Sequence, residues 1–440
     1  MKLVFALALA LPVLAGQNDS FLIRNATVHP VSGPKLDNAS VLVIDGKIAE
    51  VGAKIATKAK VRAIDGKGLH IFPGLIDSGS PIGLVEIASV RESSDTGEIG
   101  EFNPQIRALI AVNPESDHIP VTRANGITSV MVVPGSTGGR GGGSGSIISG
   151  QASLIHLNGW TWEQMEIRRG GALQMTWPAI SSGGGRFGGG GDPDSMPAAM
   201  AARRTPFSEA KRNQEAQVRK IQELFESARR YQQAKTASEP GFKPDLKLEA
   251  MIPVLEGKLP IMVFAARERE IREAVQWAEK EKVKIVLAGV RRPGKMTEEL
   301  AKKNIPVILS SPFTPPLEED DPYDEPYSLP GALHKAGVKF AFASFGTQFA
   351  RNLPYEASQG VPFGLPYDAA LRALTLSAAE IWGIADQYGS IQPGKTADLI
   401  VTDGDPLEIQ TQVKMMFIKG EAVDLETKHT GLYKKYLARP

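Results

Sequence analysis

What most constrains the fold of this chain is a change of texture along it. From about residue 71 to about residue 387, short apolar runs of strand character alternate with longer helical runs, while both ends carry strands and turns without helix. Buried-type strand runs occur at Ile127 to Val133, Ala172 to Trp177, Pro260 to Phe264, Lys284 to Leu287, Pro306 to Leu309 and Lys339 to Ala343. Helical periodicity is clearest at Ser208 to Ala234, Glu268 to Glu281 and Thr297 to Lys303. Alternation sustained over roughly 300 residues points to a parallel sheet, and at that length to a closed barrel.

The ends read differently. Phe21 to Arg24, Ser40 to Ile44, Lys47 to Val51 and Val61 to Ile64 are short alternating runs separated by turn residues, with Asp45-Gly46-Lys47 as a hairpin turn. The stretch from Tyr388 through Val423 repeats that style. Two β-rich ends around a βα core predict that the termini build one satellite domain. The expected organisation is α/β: a (β/α)8 TIM-like barrel over 71–387, and a small β-sandwich composed of 18–70 and 388–440.

Residues 1–17 read as a signal peptide, with Lys2 ahead of an apolar run and small residues before a cut after Ala15. The expected location is therefore periplasmic or secreted. No other segment has the length and apolarity of a membrane span. Of the 440 residues, 50 are basic and 49 acidic, a net charge of +1 that gives no electrostatic reason to expect nucleic acid or an anionic membrane as partner. The chain has no cysteine, which excludes disulfides, thiol nucleophiles and Cys-ligated zinc.

Two glycine-rich segments, 135–146 and 181–195, interrupt the core. Neither ends in Gly-Lys-Ser/Thr, so a phosphate-cradling loop is not indicated. They read as surface loops, with a lid at the barrel mouth as the functional alternative.

Several segments, taken in order, resemble the amidohydrolase superfamily, in particular its imidazolonepropionase-like branch. They are Phe72-Pro73-Gly74-Leu75-Ile76-Asp77 near the start, then Leu371-Arg372-Ala373-Leu374-Thr375, Ala378-Ala379-Glu380-Ile381, Gly389-Ser390-Ile391, Pro393-Gly394-Lys395 and Ala397-Asp398-Leu399-Ile400-Val401. The resemblance implies a (β/α)8 barrel with a sandwich made from both ends, and metal-assisted hydrolysis of non-peptide C–N bonds. A divalent ion in such a site lowers the pKa of bound water from about 15.7 to about 7, worth roughly 12 kcal/mol.

The positions where the resemblance would place the metal ligands carry other residues. The His-x-His pair falls on Gly79 and Pro81, the strand-five histidine on Phe264, the strand-six histidine on Ala288, and the strand-eight aspartate on Phe345, with Ser344 as its neighbour. The six histidines are 29, 70, 118, 156, 334 and 429, with no two close enough in sequence to form a local chelate. Pocket candidates that remain are Asp77, Glu86, Asp95, Glu98, His156, Arg267 and Ser344. The acidic and aromatic stretch from Pro312 to Tyr327 could shape the mouth and attract a cationic ligand, whereas Trp160 and Trp162 are expected to be buried.

The reading that follows is an exported amidohydrolase-like pseudoenzyme, with no cofactor expected, that binds a small molecule or peptide and leaves homo-oligomerisation open. The alternative is an active hydrolase of amide, lactam or cyclic imide bonds. It requires a relocated or reduced zinc-like site, from carboxylates such as Asp77, Glu86, Asp95 and Glu98 together with His156.

Overall fold

The structure is a computed structural model that describes residues 20–57, 61–135, 146–180, 205–317 and 320–439. Residues 1–19, which include the expected signal peptide, residues 136–145 of the first glycine-rich segment and the whole of the second lie outside the described residues.

Both chain ends contribute to one eight-stranded sheet. From the N-terminal side come β1 (Phe21–Val28), β2 (Leu36–Ile44), β3 (Lys47–Gly52), β4 (Arg62–Asp65) and β5 (His70–Pro73). From the C-terminal side come β14 (Leu399–Thr402), β15 (Val413–Ile418) and β16 (Glu421–Ala422). The strand order is β16-β15-β14-β5-β1-β2-β3, with β4 paired to β1. The sheet folds over on itself: Phe21 on β1 stacks on Phe417 of β15 with ring centroids 4.2 Å apart, although two strands separate them in the order. The alternating apolar residues of the ends, among them Ile23, Val41, Val43, Ile71, Leu399 and Val401, fill the core so enclosed. Asp45 and Gly46 both have positive φ, as a tight hairpin of the primed type demands.

The barrel sheet has eight strands: β6 (Leu75–Ser80), β7 (Ile127–Val132), β8 (Ile148–His156), β9 (Glu166–Thr176), β10 (Ile261–Phe264), β11 (Ile285–Ala288), β12 (Val307–Leu309) and β13 (Phe340–Phe342), hydrogen-bonded in sequence order. Its interior is packed by Ile76, Met131, Leu154, Met262, Val286 and Ile308, with Trp382 beneath them. Helices cover the outside. The clearest is Glu268–Glu281, whose buried Ile271, Ala274, Val275 and Ala278 recur at the three- and four-residue spacing read from the sequence. That helix ends at Lys282, the left-handed residue that releases the chain into β11.

The barrel departs from a strict (β/α)8 repeat in one place. Strand β8 is antiparallel to both β7 and β9, and the rest of the sheet is parallel. Only the four-residue helix Trp162–Met165 separates β8 from β9. With no crossover helix the chain must return in the opposite direction, because a parallel neighbour requires a connection long enough to cross the sheet. The sequence run at Ser153 to Leu157 gave no sign of this reversal, which turns the end of β8 away from the mouth.

No backbone ladder joins β13 to β6, and the seam between them is closed by other bonds at the mouth. Phe345 N donates to Gly79 O at 2.8 Å, Ser80 Oγ to Gly346 O at 2.8 Å, and the Asp77 carboxylate bridges to Ser344.

Candidate functional site

The centre of the barrel mouth is aromatic. Phe345 follows β13 with φ of 43°, a left-handed conformation that costs a non-glycine residue on the order of 1–2 kcal/mol. Its backbone bond to Gly79 and its ring packing hold it there. The ring meets Phe264 edge-on, centroids 5.0 Å apart. A Cβ built on Gly79 would stand 2.5 Å from a Phe345 ring carbon, so the glycine is what lets the ring occupy that space. Pro81 and Ala288 are buried beside it.

A divalent metal of the kind the fold implies requires three or more nitrogen or oxygen donors converging on a point. Here a phenyl ring fills the volume, and no group of three His, Asp or Glu side chains among the described residues could hold an ion. The residues present do not fit the metal.

Asp77 lies beside this plug, fully buried. Its Oδ1 accepts from the backbone N–H of Gly79 and of Ser344, each at 3.0 Å, and its Oδ2 lies 2.6 Å from Ser344 Oγ. Burial pushes the carboxyl up to about 7, against the opposing pull of those three donors. Ser344 Oγ also lies 3.0 Å from Gly346 O. With one hydroxyl proton and two acceptors, the group is fully satisfied when Asp77 is protonated and donates to Ser344, which then donates to Gly346 O. Asp77 and Ser344 thus stitch the barrel seam, Asp77 fully buried and Ser344 partly so.

Glu356, which sequence reasoning missed, is a second buried carboxyl on this side. It sits in the short helix Leu353–Ser358 that follows the strand-eight loop. Burial raises it to about 7, the Ser311 hydroxyl bond works against this, and the nearby charge of Asp77 adds to the rise. Its Oε2 has no hydrogen-bond partner among the described residues. A glutamate at helix spacing beside Leu353 and Ala357 gave no signal that it would point inward.

The other candidates disperse. Asp95 and Glu98 line one groove of about 490 Å³ at the mouth, between the loop after β6 and Pro134 at the exit of β7, with Gln105, Arg107 and Ile110. Glu86 is on the same loop but is engaged elsewhere, accepting from Asn113 Nδ2 at 3.4 Å while its carbonyl lies 2.8 Å from His118 Nε2. Arg267 caps the helix after β10 and sits 3.9 Å from Glu270. His156 is corrected outright. Because β8 runs antiparallel, His156 lies at the end opposite the mouth, buried, with Nδ1 3.2 Å from Asp398 Oδ2 and Nε2 3.4 Å from Tyr388 OH. It joins the barrel to the satellite sheet.

In the 312–327 stretch Asp320 is exposed, while the neighbouring acid turns inward. Asp321 is buried and meets Arg292 Nη1 at 2.5 Å, while Tyr327 stacks on Phe363 at 5.2 Å. Glu318 and Glu319 fall outside the described residues. Trp160, expected to be buried, is 81% exposed at the turn after β8. Sequence distance also hid a histidine pair: parallel pairing of β1 and β5 sets His29 Nε2 3.1 Å from His70 Nδ1. Burial, the neighbouring imidazole and Lys35 together pull His29 down to about 4.

Comparisons with known proteins agree with this architecture. The amidohydrolase family model matches residues 316–423. Amidohydrolase tasK of Hapsidospora irregularis is 24% identical over 438 residues, covering 93% of this chain and 44% of that protein. The chain therefore spans less than half the length of that relative. A crystal structure of an amidohydrolase from Thermotoga maritima superimposes with a TM-score of 0.76 at 27% identity, covering 92% of this chain and 99% of that one. A prolidase complexed with N-methylphosphonate-L-proline superimposes with a TM-score of 0.55 at 17% identity, covering 92% and 99%. At that identity the likeness shows the fold alone.

Proposed function

We propose that the chain is a degenerate member of the amidohydrolase superfamily: an exported protein whose barrel mouth binds a small molecule or peptide and does not hydrolyse it through a bound metal. One observation carries the reading. The Phe345 ring, admitted by Gly79 and packed on Phe264, occupies the space where donors would have to converge. The mouth still has a place for a ligand in the groove lined by Asp95, Glu98 and Gln105. A cleft of that size with a few polar groups on an apolar wall is the usual form of a small-molecule site. Fold alone does not supply chemistry.

The test is elemental analysis of the full chain purified without chelator and then dialysed against zinc, manganese or nickel. Well under one equivalent of metal per chain is expected, and no turnover of dipeptides or cyclic imides. A stoichiometric ion that supports such hydrolysis would establish the alternative, an active C–N hydrolase with a relocated site. Export is tested by sequencing the N-terminus of the protein recovered from the periplasm or medium. A start near residue 16 is expected, and an intact Met1 would refute it.

A further inference from the structure

The end of the barrel opposite the mouth carries a groove that neither the plug nor the mouth explains. It has a volume of about 620 Å³ and runs under the starts of β10, β11 and β12. Although the whole chain is nearly neutral, the wall of this groove holds Arg168, Lys258, Lys282, Lys284 and Lys303 against Glu279 alone. Two of these cations are already matched. Lys258 lies 2.7 Å from Glu256, and Lys303 is paired with Glu279 and Glu299. Lys282 and Lys284 make no ion pair among the described residues.

One glycine makes room for a cationic group. A Cβ on Gly383 would stand 2.6 Å from Arg168 Nη1. Gly383 has positive φ, so the chain turns tightly there. Arg168 is held from behind by the Trp382 carbonyl at 2.6 Å, which fixes the guanidinium while leaving other N–H groups to a ligand. Trp382 also borders the groove, with its side chain 1% exposed. In barrels of this kind the bottom face ordinarily serves stability alone.

We propose that this groove binds a small multiply charged oxyanion, a phosphate ester or polycarboxylate. Arg168, Lys282 and Lys284 neutralise its charge, and the partly buried Val283 and Ile305 pack its apolar part. Burying such a charge requires matched cations, which the groove supplies in surplus. The site is separate from the mouth and stands whether or not the mouth binds or hydrolyses anything.

Isothermal titration of the full chain with pyrophosphate, and separately with citrate, at low ionic strength tests it. Saturable one-site binding of at least one probe is expected, and which of the two binds distinguishes phosphate from polycarboxylate. Lys284→Glu and Lys282→Glu each weaken binding about tenfold or more, while Lys67→Glu, an equal change of net charge on an exposed turn of the satellite sheet, leaves it within about twofold. Circular dichroism and thermal unfolding confirm that all three variants fold. Absence of saturable binding by either probe at millimolar concentration overturns the proposal. So does a loss in Lys67→Glu equal to that in Lys284→Glu, since it would mean that only net charge is sensed.

Discussion

Replacing Asp77 with asparagine should make the protein more stable at neutral and alkaline pH, the reverse of what losing a buried, triply hydrogen-bonded carboxyl would ordinarily do. The side chain is wholly buried and its carboxyl is raised from 3.8 to about 7. A carboxyl with a folded pKa above its unfolded value binds more protons in the folded state. Its contribution is therefore complete below the unfolded pKa and is lost as pH rises through the folded one. Between about pH 4 and pH 7 the wild type loses roughly 1.4 kcal/mol per pH unit from this group, about 4 kcal/mol in all. Asparagine matches the protonated form. Its Oδ1 can accept from Gly79 N and Ser344 N, and its amide can donate to Ser344 Oγ, which keeps Gly346 O as acceptor. Urea unfolding of both proteins from about pH 4 to pH 8, with the slope on denaturant monitored for constancy, measures the difference directly. That difference should start near zero, grow through pH 7 and then level off. Using the difference removes His29, whose lowered pKa acts with the opposite sign over the same interval. A flat difference, or Asp77→Asn less stable than wild type at about pH 8, would refute the reasoning.

Two further substitutions probe the plug and the domain junction. Gly79→Ala places a methyl group against the Phe345 ring and should cost about 1–3 kcal/mol. In a Phe345→Ala background the same change should cost much less, only the contact with Ala343 Cβ at 3.3 Å remaining, and an unchanged cost there would mean that the ring does not fill the space. His156→Leu removes the buried imidazole 3.2 Å from Asp398 Oδ2 and should cost about 1–3 kcal/mol in urea unfolding, part of it recovered in the double variant with Asp398→Asn. A loss no greater than that of an exposed substitution would remove His156 from the junction.

Much of the fold was legible because it follows from period and punctuation. The helix at Glu268–Glu281 was read to the residue, since four apolar side chains at helical spacing end at a break before the next strand. Strands β10 to β13 were found within a residue or two at each end, because buried parallel strands are short unbroken apolar runs. The reversal of β8 was not legible. An apolar strand reads the same in either direction, and only the missing crossover decides which way it runs.

The candidate site divides in the same way. The identities at 79, 81, 264, 288 and 345 already removed every metal donor that the resemblance would place there. That Phe345 would turn inward through a left-handed backbone, and that Gly79 would leave it room, required the neighbouring strand. Glu356, the His29–His70 pair and the basic groove join residues far apart in sequence, through spatial proximity that carries no local pattern.

By itself the sequence determined that the positions where the resemblance would place metal ligands carry side chains that cannot ligate. It also determined the layered architecture, through hydrophobic period. The tertiary structure decided what fills the centre of the mouth, which carboxyls lost contact with water, and where the positive charge of a nearly neutral chain collects. Those properties depend on distance and solvent exclusion, which exist only once remote segments have packed together.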